Sequence, residues 1–576
     1  MRATPAVARR HRRGRGRRPG TPSSLVALVA AGALAASFSL AVPATSAAAP
    51  AVLRVGTWNG IAGQYRTIAA AVDAAKPGDW ILVAPGDYHE QMDHAAGLHG
   101  DATGGVELDK ADLHLRGMDR NGVVIDGTKP GAPKCSAKAS DQDLGVLDGS
   151  NHPAGRNGVE AFEVSGVSIE NLTVCNFLDG SDGGGNQIWW NGGDGTGTIN
   201  MGPYSGAYLS ATTTYYESGQ PAGSYGIFVS NARGPATISH TYASNMDDSD
   251  YYVGACSDCN VVIDDAHAQS SALGYSGTNS GGRITIQNSE FDHNKTGLST
   301  NSQNNDDAPS PQDGACPTGV EGPTGTSNCW IFRDNLVHDN NDANVPSAGS
   351  ADLGPPGTGV VISGGRNDIV EGNTFTNNGS WAVLTVPFID MGTPPPIAHC
   401  DGGVDNWMGS GWCYYADWGS EIANNTFSHN GSFGNPTNGD LGDISDPQPT
   451  EPGNCWHGNT DADGVTSAPA DLQATNGTCG QTNQGGAPVD LTDVTDPSTL
   501  VGQVVCATEL LGPCAPDFGS YPRTTEVALM PLPAEPSMPD PCAGVPADPW
   551  CPAGSSPTSP SAPPAQAIST GPKLTG

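Results

Sequence analysis

Four segments of the chain superimpose without gaps on one layout: an apolar residue, a small or amide residue three positions on, an aromatic or aliphatic residue five on, and Asn eight on. They are Ile286, Ser289, Phe291, Asn294; Phe332, Asn335, Val337, Asn340; Val370, Asn373, Phe375, Asn378; and Ile422, Asn425, Phe427, Asn430. No single copy is long enough to bury its own apolar face, so the copies must stack on one another. Looser copies run upstream over 167–176, 235–245 and 260–270, and the equivalent apolar positions read as Ile238, Val262 and Ile286, 24 residues apart. Beyond Ile286 the spacing widens through inserted loops. Units of that length, alternating short β segments with Gly or Asn turns, predict an all-β fold, a parallel β-helix. Asn suits such turns because it tolerates left-handed backbone angles and can bond to the Asn of the next coil. The column Asn294, Asn340, Asn378, Asn430 is therefore read as structural rather than catalytic.

Composition agrees with this. Of the 60 acidic residues 46 are Asp, and the 576 residues include only seven Lys, so side chains that favour helix interiors are scarce and a mostly helical protein is excluded. Gly and Pro together number 125, which fits a chain dominated by turns and strands.

Upstream of the repeats, Tyr65 to Ala75 carries apolar residues at helical spacing, Pro77-Gly78 stops it, and Trp80 to Ala84 reads as a buried strand. A short helix here would cover the open end of the stack. The segment Thr67-Ile-Ala-Ala-Ala-Val-Asp-Ala-Ala-Lys-Pro-Gly-Asp-Trp-Ile-Leu-Val-Ala-Pro-Gly-Asp-Tyr88 resembles the N-terminal cap of right-handed parallel β-helix proteins of the pectin-lyase-like superfamily. With the repeats, the resemblance spans residues 53 to 432. It implies a single-stranded right-handed parallel β-helix with an N-terminal capping helix, long disulfide-stapled loops and an irregular C-terminal extension. A cap of this kind speaks to fold and is nearly silent about reaction.

The expected organisation is a cleaved signal peptide over 1–49, a β-helix domain over 50–432, a Cys-, Pro- and Gly-rich extension over 433–551 and a disordered tail over 552–576. The first segment holds eight Arg and no acid, then the apolar run Leu25 to Val42, then Ser46-Ala-Ala-Ala49, the order of a secretory signal. Its removal takes the formal charge from −35 to −43. Nucleic acid and anionic membrane are thus excluded as partners, and a secreted, extracellular monomer is expected. The 14 cysteines fall mostly in neighbouring pairs, as an exported protein allows. The favoured pairing is Cys135 with Cys175, Cys256 with Cys259, Cys316 with Cys329, Cys400 with Cys413, Cys455 with Cys479, Cys506 with Cys514, and Cys542 with Cys551. A zinc site at Cys256 and Cys259 lacks a second half-site.

Inserted loops beside a β-helix supply its variable chemistry. Insertions are expected near 181–223, 300–330 and 394–418. The first and third hold five of the eleven Trp residues, and aromatic faces suit the C–H faces of sugar rings. Trp189, Trp190, Trp407, Trp412 and Tyr415, with His293, are the candidate substrate contacts, and an extracellular polysaccharide is the expected partner. Asp247, Asp248, Asp250, Asp264 and Asp265 are candidate oxygen ligands for Ca²⁺, the one cofactor suggested. In 24-residue register His240, Asp264 and Asn288 share a column, as do Asp247, Ser271 and Lys295.

Lys295 stands alone between Lys138 and Lys573. Resembling families of uronate polysaccharide lyases use Lys or Arg to remove the proton beside a carboxylate neutralised by Ca²⁺ or Arg. The cation lowers the cost of the enolate-like anion while the base takes its proton. Lys295 as base, with Arg283 or Arg333 as clamp, fits that chemistry. The alternative is a non-catalytic β-helix that binds extracellular glycans or proteins.

Overall fold

The computed structural model describes residues 49–92, 103–181, 183–193, 199–256, 258–303, 330–391, 400, 402–490, 492–512, 514 and 519–552. Each coil carries three strand segments, the first two running together as one nine-residue strand in the coils of Val167–Cys175, Tyr204–Thr212, Ala236–Ser244 and Val261–Gln269. Ile284–Gln287, Glu290–Asp292 and Thr296–Asn301 make one coil, and Trp330–Arg333, Leu336–His338 and Thr358–Ser363 make the next. First strands pair with first strands, seconds with seconds and thirds with thirds, all in parallel, as in Ile286 with Phe332, Phe291 with Val337 and Leu298 with Val360. First and second strands form a sheet of 19 described strands, and third strands form one of 11. The chain is a right-handed parallel β-helix, the hand that parallel crossovers adopt.

The core runs through the middle of the coils. Ile238, Ile263, Ile286, Phe332, Val370 and Ile422 line its first-strand wall, and Ala268, Phe291, Val337, Phe375 and Phe427 its second. The register partner of Ile238 and Ile286 is Ile263, not Val262, so these coils are 25 and 23 residues long. The repeat Asn residues form a ladder, with Asn294, Asn340 and Asn378 buried. Asn340 Oδ1 accepts from the backbone and the side chain of Asn294, at 3.3 and 3.1 Å, and Asn335, Asn373, Asn425 and Asn459 form a second such column.

The N-terminal cap is the helix Ile68–Ala74. Thr67 accepts from Ala70 N, Glu90 accepts the N–H groups of Ile68 and Ala69, and Ile68, Ala71 and Val72 are buried on the stack. These side chains satisfy the orphan donors of a helix start.

Two expected boundaries shift. The region 181–223 is not a loop insertion: it contains the coil strands Asn186–Asn191 and Tyr204–Thr212. Its aromatic residues obey strand alternation, which a glycine-rich sequence obscures. The coils also continue past 432, since Gly439–Asp443, Cys455–His457, Thr460–Asp461 and Ser467–Ala468 extend the same sheets. A real insertion lies between His338 and Thr358, carrying the turn Ala351–Leu353. The 394–418 region does form a loop, closed by the antiparallel pair Phe388–Asp390 and Cys413–Tyr415. Most of the 300–330 insertion lies outside the described residues.

Six of the seven expected disulfides are formed, joining Cys135–Cys175, Cys256–Cys259, Cys400–Cys413, Cys455–Cys479, Cys506–Cys514 and Cys542–Cys551. Cys316 and Cys329 lie outside the described residues. The C-terminal segment is neither loose nor a simple cap. The helix Leu500–Ala507 packs on Val361, Trp381 and Leu384, outside the last coils. Residues 519–552 then run back across the coils to the N-terminal end. Backbone N–H groups of Ser520, Thr525, Met530, Glu535 and Met538 donate in turn to Asn435, Asn344, Asn245, Asn121 and Asn171. Trp550 finally donates to the carbonyl of Ile61. Among the described residues no helix is long and apolar enough to cross a membrane.

Candidate functional site

The first turn of successive coils is one residue with left-handed backbone: Asn171, Tyr208, His240, Asp265, Asn288 and Asp334, then Gly372, Asn424 and Gly458. Asn, Asp and His tolerate that conformation better than bulkier residues, so the turn itself selects polar side chains along one edge of the coils. In the second strand the middle residue faces the core, which turns its two neighbours outward. The outward pairs are His267 and Gln269, Glu290 and Asp292, and Leu336 and His338. Asp265, His267, Asn288, Glu290, Asp334 and Leu336 line a hollow of about 270 Å³ where turn and strand meet.

The outward groups form two linked ion pairs. His267 Nε2 lies 2.7 Å from Asp292 Oδ1, while Asp292 Oδ2 takes Gln269 Nε2 at 2.9 Å and His293 Nδ1 at 2.5 Å. His338 bridges Glu290 at 2.9 Å through Nε2 and Asp339 at 2.8 Å through Nδ1. Burial works against charge on His267, but the hydrogen bond and charge of Asp292 outweigh it and raise its pKa, with a smaller push from Glu535 of the returning segment. Burial likewise opposes ionisation of Asp292, which His267, Gln269 and His293 overcome to hold it below the ordinary carboxylate range. The hydrogen bond from His338 lowers Glu290, and reciprocally His338 is pushed up to about 9. The result is a fixed array of paired imidazoles and carboxylates on rigid strands.

The first-strand edge continues the array. Asp264 accepts from Gln287 at 3.1 Å and Asn288 at 2.7 Å, and Gln287 Oε1 accepts from Arg333 Nη2 at 2.8 Å. Asp264, Gln287, Arg333 and Glu371 are register partners in one row. The other column is staggered by one residue: His240 pairs with Asp265, the turn residue, rather than with Asp264.

Lys295 is not in this groove. It sits beyond the second turn, largely buried, with Nζ donating to the carbonyl of Asp352 at 2.5 Å and to its carboxylate at 3.0 Å. The inserted turn at 351–353 holds it, so the lone lysine anchors a loop. Arg283 is committed to Asp258 by a bidentate pair at 2.8 and 2.7 Å. Of the three catalytic candidates only Arg333 borders the groove.

The five calcium candidates do not converge. Asp265 is the first turn and Asp264 precedes it, whereas Asp247, Asp248 and Asp250 lie around the second, with a strand between. Asp248 accepts from Tyr225 at 3.0 Å and Asp250 from Ser271 at 2.6 Å. Burial, with the charges of Asp179 and Asp248, pushes Asp247 up to about 7; burial lifts Asp248 to about 6 and Asp250 well above the ordinary value. Sequence proximity merged two corners that the fold separates.

Nor do the aromatic candidates form one platform. Trp190 is fully buried in the core, while its neighbour Trp189 stacks outward on Phe228 at 4.9 Å. Tyr415 is buried against the Cys400–Cys413 bridge. Trp407 stacks on Tyr414 at 5.0 Å, packing its own loop, and Trp412 is exposed. His293 bonds Asp292 at the edge of the array and is not among the residues that line the hollow. The residues that sequence reasoning missed are Glu290, Asp292, His267 and His338, and the signal was their placement one residue either side of the inward apolar position.

No family model and no curated protein matches the chain. Among solved structures, the A-module of the Azotobacter vinelandii mannuronan C-5 epimerase AlgE4 covers 69% of this chain and 91% of its own, at 15% identity and a TM-score of 0.39. Pectate lyase Pel9A covers 66% and 76% at 11% identity and a TM-score of 0.34. A mannuronic acid-specific family 6 lyase from human gut microbiota covers 66% and 75% at 13% identity and a TM-score of 0.34. Identities this low carry no information about the reaction.

Proposed function

We propose that the chain is a secreted carbohydrate-active protein that holds an extracellular polysaccharide across the groove of Asp265, His267, Glu290, Asp292, Asp334 and His338. The observation carrying this reading is the outward array itself. It offers hydrogen-bond donors and acceptors coil after coil, at the strand spacing of about 4.8 Å, to a polymer that presents hydroxyl groups at repeated intervals. The hollow is concave and polar, its groups are pre-positioned by paired strands, and Leu336 supplies an apolar wall. Imidazoles and carboxylates within reach of one ligand are also the groups that general acid–base cleavage needs. Eliminative cleavage of a uronate polymer is the finer proposal, with Arg333 as the arginine bordering the groove and Lys295 without a part in it.

Glycan arrays and incubation with pectate, alginate, chondroitin and neutral polymers test both levels. Binding that falls at least tenfold in Glu290→Gln supports the groove, and unsaturated-uronate absorbance lost in Arg333→Ala supports elimination. Binding with no product from any polymer leaves a glycan-binding β-helix. Binding to none of these polymers would remove the carbohydrate reading altogether.

A further inference from the structure

We infer that His267, Glu290 and Asp292 form a site for a divalent transition-metal ion of the zinc class. One ligand atom from each of the three lies within 4.8 Å of the others. The donors come from two adjacent coils in fixed register: His267 is paired across the sheet with Glu290, and Gln269 with Asp292. Glu290 and Asp292 flank the inward Phe291, so strand alternation alone turns both carboxylates the same way. Zinc takes imidazole nitrogen and carboxylate oxygen at about 2.0–2.2 Å. The gap of 2.7 Å between His267 Nε2 and Asp292 Oδ1 therefore needs only a small side-chain rotation to admit the ion.

Three protein ligands leave a coordination position open, and two of them, His267 and Glu290, also line the hollow. One neutral imidazole and two carboxylates balance a double positive charge. The atoms not needed for the ion are already held. Asp292 Oδ2 is fixed by Gln269 and His293, and Glu290 Oε1 by His338, whose other nitrogen is fixed by Asp339. Partners of this kind orient metal ligands and set affinity. The donor set also selects the ion: Ca²⁺ takes six to eight oxygens, which this cluster does not supply.

The two cysteine-containing clusters among the described residues are closed by disulfides, Cys135–Cys175 beside Asp126 and Cys455–Cys479 beside His457. The cluster of Asp87, His89 and Asp126 does not line the hollow, and both Asp126 oxygens there accept backbone N–H groups, from Thr128 and Cys135.

The test uses the full secreted chain, stripped with a chelator and dialysed against Zn²⁺ or Ca²⁺ in the absence of glycan. One Zn²⁺ per chain is expected, with affinity falling at least tenfold in Asp292→Asn and in Glu290→Gln, the latter a half-exposed residue whose replacement leaves the fold intact. Cobalt in place of zinc is expected to show visible bands that shift in His267→Gln. No stoichiometric Zn²⁺ uptake, uptake unchanged in both carboxylate variants, or Ca²⁺ bound in preference would each overturn the assignment. Because no glycan enters the measurement, its failure leaves the polysaccharide reading standing, and a failed glycan screen leaves the metal result standing.

Discussion

Asn245 and Met530, 285 positions apart, are joined by a two-way hydrogen bond: Asn245 Oδ1 accepts Met530 N at 2.8 Å, and Asn245 Nδ2 donates to Met530 O at 2.9 Å. The amide at a turn thus acts as a dock for a strand-like backbone. Asn171, Asn344 and Asn435 repeat half of this arrangement, so the returning segment is tied down at intervals along the coils. Asn245→Ala leaves buried polar groups without partners, at a cost of about 1–3 kcal/mol. Limited proteolysis of this variant should cut within 519–540 faster than in the parent, while the β-helix fragment persists.

The buried ladders predict a larger effect. Asn373 donates to the carbonyl of Phe332 and to Asn425 Oδ1 and accepts from the backbone and the side chain of Asn335, all at 2.9 to 3.0 Å. Asn373→Leu orphans partners in both adjacent coils. Urea denaturation should show a loss of about 2–4 kcal/mol, against little change for Thr374→Ser at an exposed position of the next strand.

Buried acids set a pH dependence of definite sign. Burial pushes Glu160 up to about 7, with Glu107 adding to the shift, although Asn191 and Asn157 donate to it. Below about pH 4 the group is protonated folded and unfolded and contributes nothing. As pH rises toward 7 the unfolded chain has released its proton while the folded chain keeps it, so the folded state loses stability, by about 3 kcal/mol once the folded group ionises. The buried pair Asp417 and Asp443, both raised by burial and sharing the amide of Asn454, adds to the same slope. Thermal melting from pH 4.5 to 8.5 should fall more steeply in the parent than in Glu160→Gln.

Lys295→Met separates the anchoring role from chemistry. Lost contacts from the buried Lys295 to the carbonyl and the exposed carboxylate of Asp352 should lower the melting temperature, by an amount set by about 1 kcal/mol, and leave glycan affinity and any product formation as they were. Loss of activity in a folded Lys295→Met protein would return the lysine to the active site.

The stacking of coils, the capping helix and most of the six disulfide pairings were legible because each rests on local chemistry: a repeated inward apolar position, an Asn that fits a left-handed turn, cysteines close in sequence, Cys135 and Cys175 being the pair 40 residues apart. The groove was not. Its members are Glu290, Asp292, His267 and His338, and they meet only once the coil lengths are known to one residue. Coils of 25 and 23 residues average to the 24 read from sequence, so Val262 stood in for Ile263 and Asp264 for Asp265. A slip of one residue in a strand exchanges inside for outside. The same rule sends Trp190 inward and Trp189 outward, which sequence cannot settle without the register. Lys295 looked catalytic because it is rare, yet its partner Asp352 belongs to an insertion with no repeat signature.

The most direct measurement is a crystal structure of the chain with an oligosaccharide taken from a polymer it binds. Sugar density lying over Asp265, His267, Glu290 and Leu336, with hydroxyl groups hydrogen-bonded to the second-strand carboxylates, is the expected result. Density confined to the Trp407–Trp412 loop or to the Trp189 face, with the groove filled by water alone, would contradict the account.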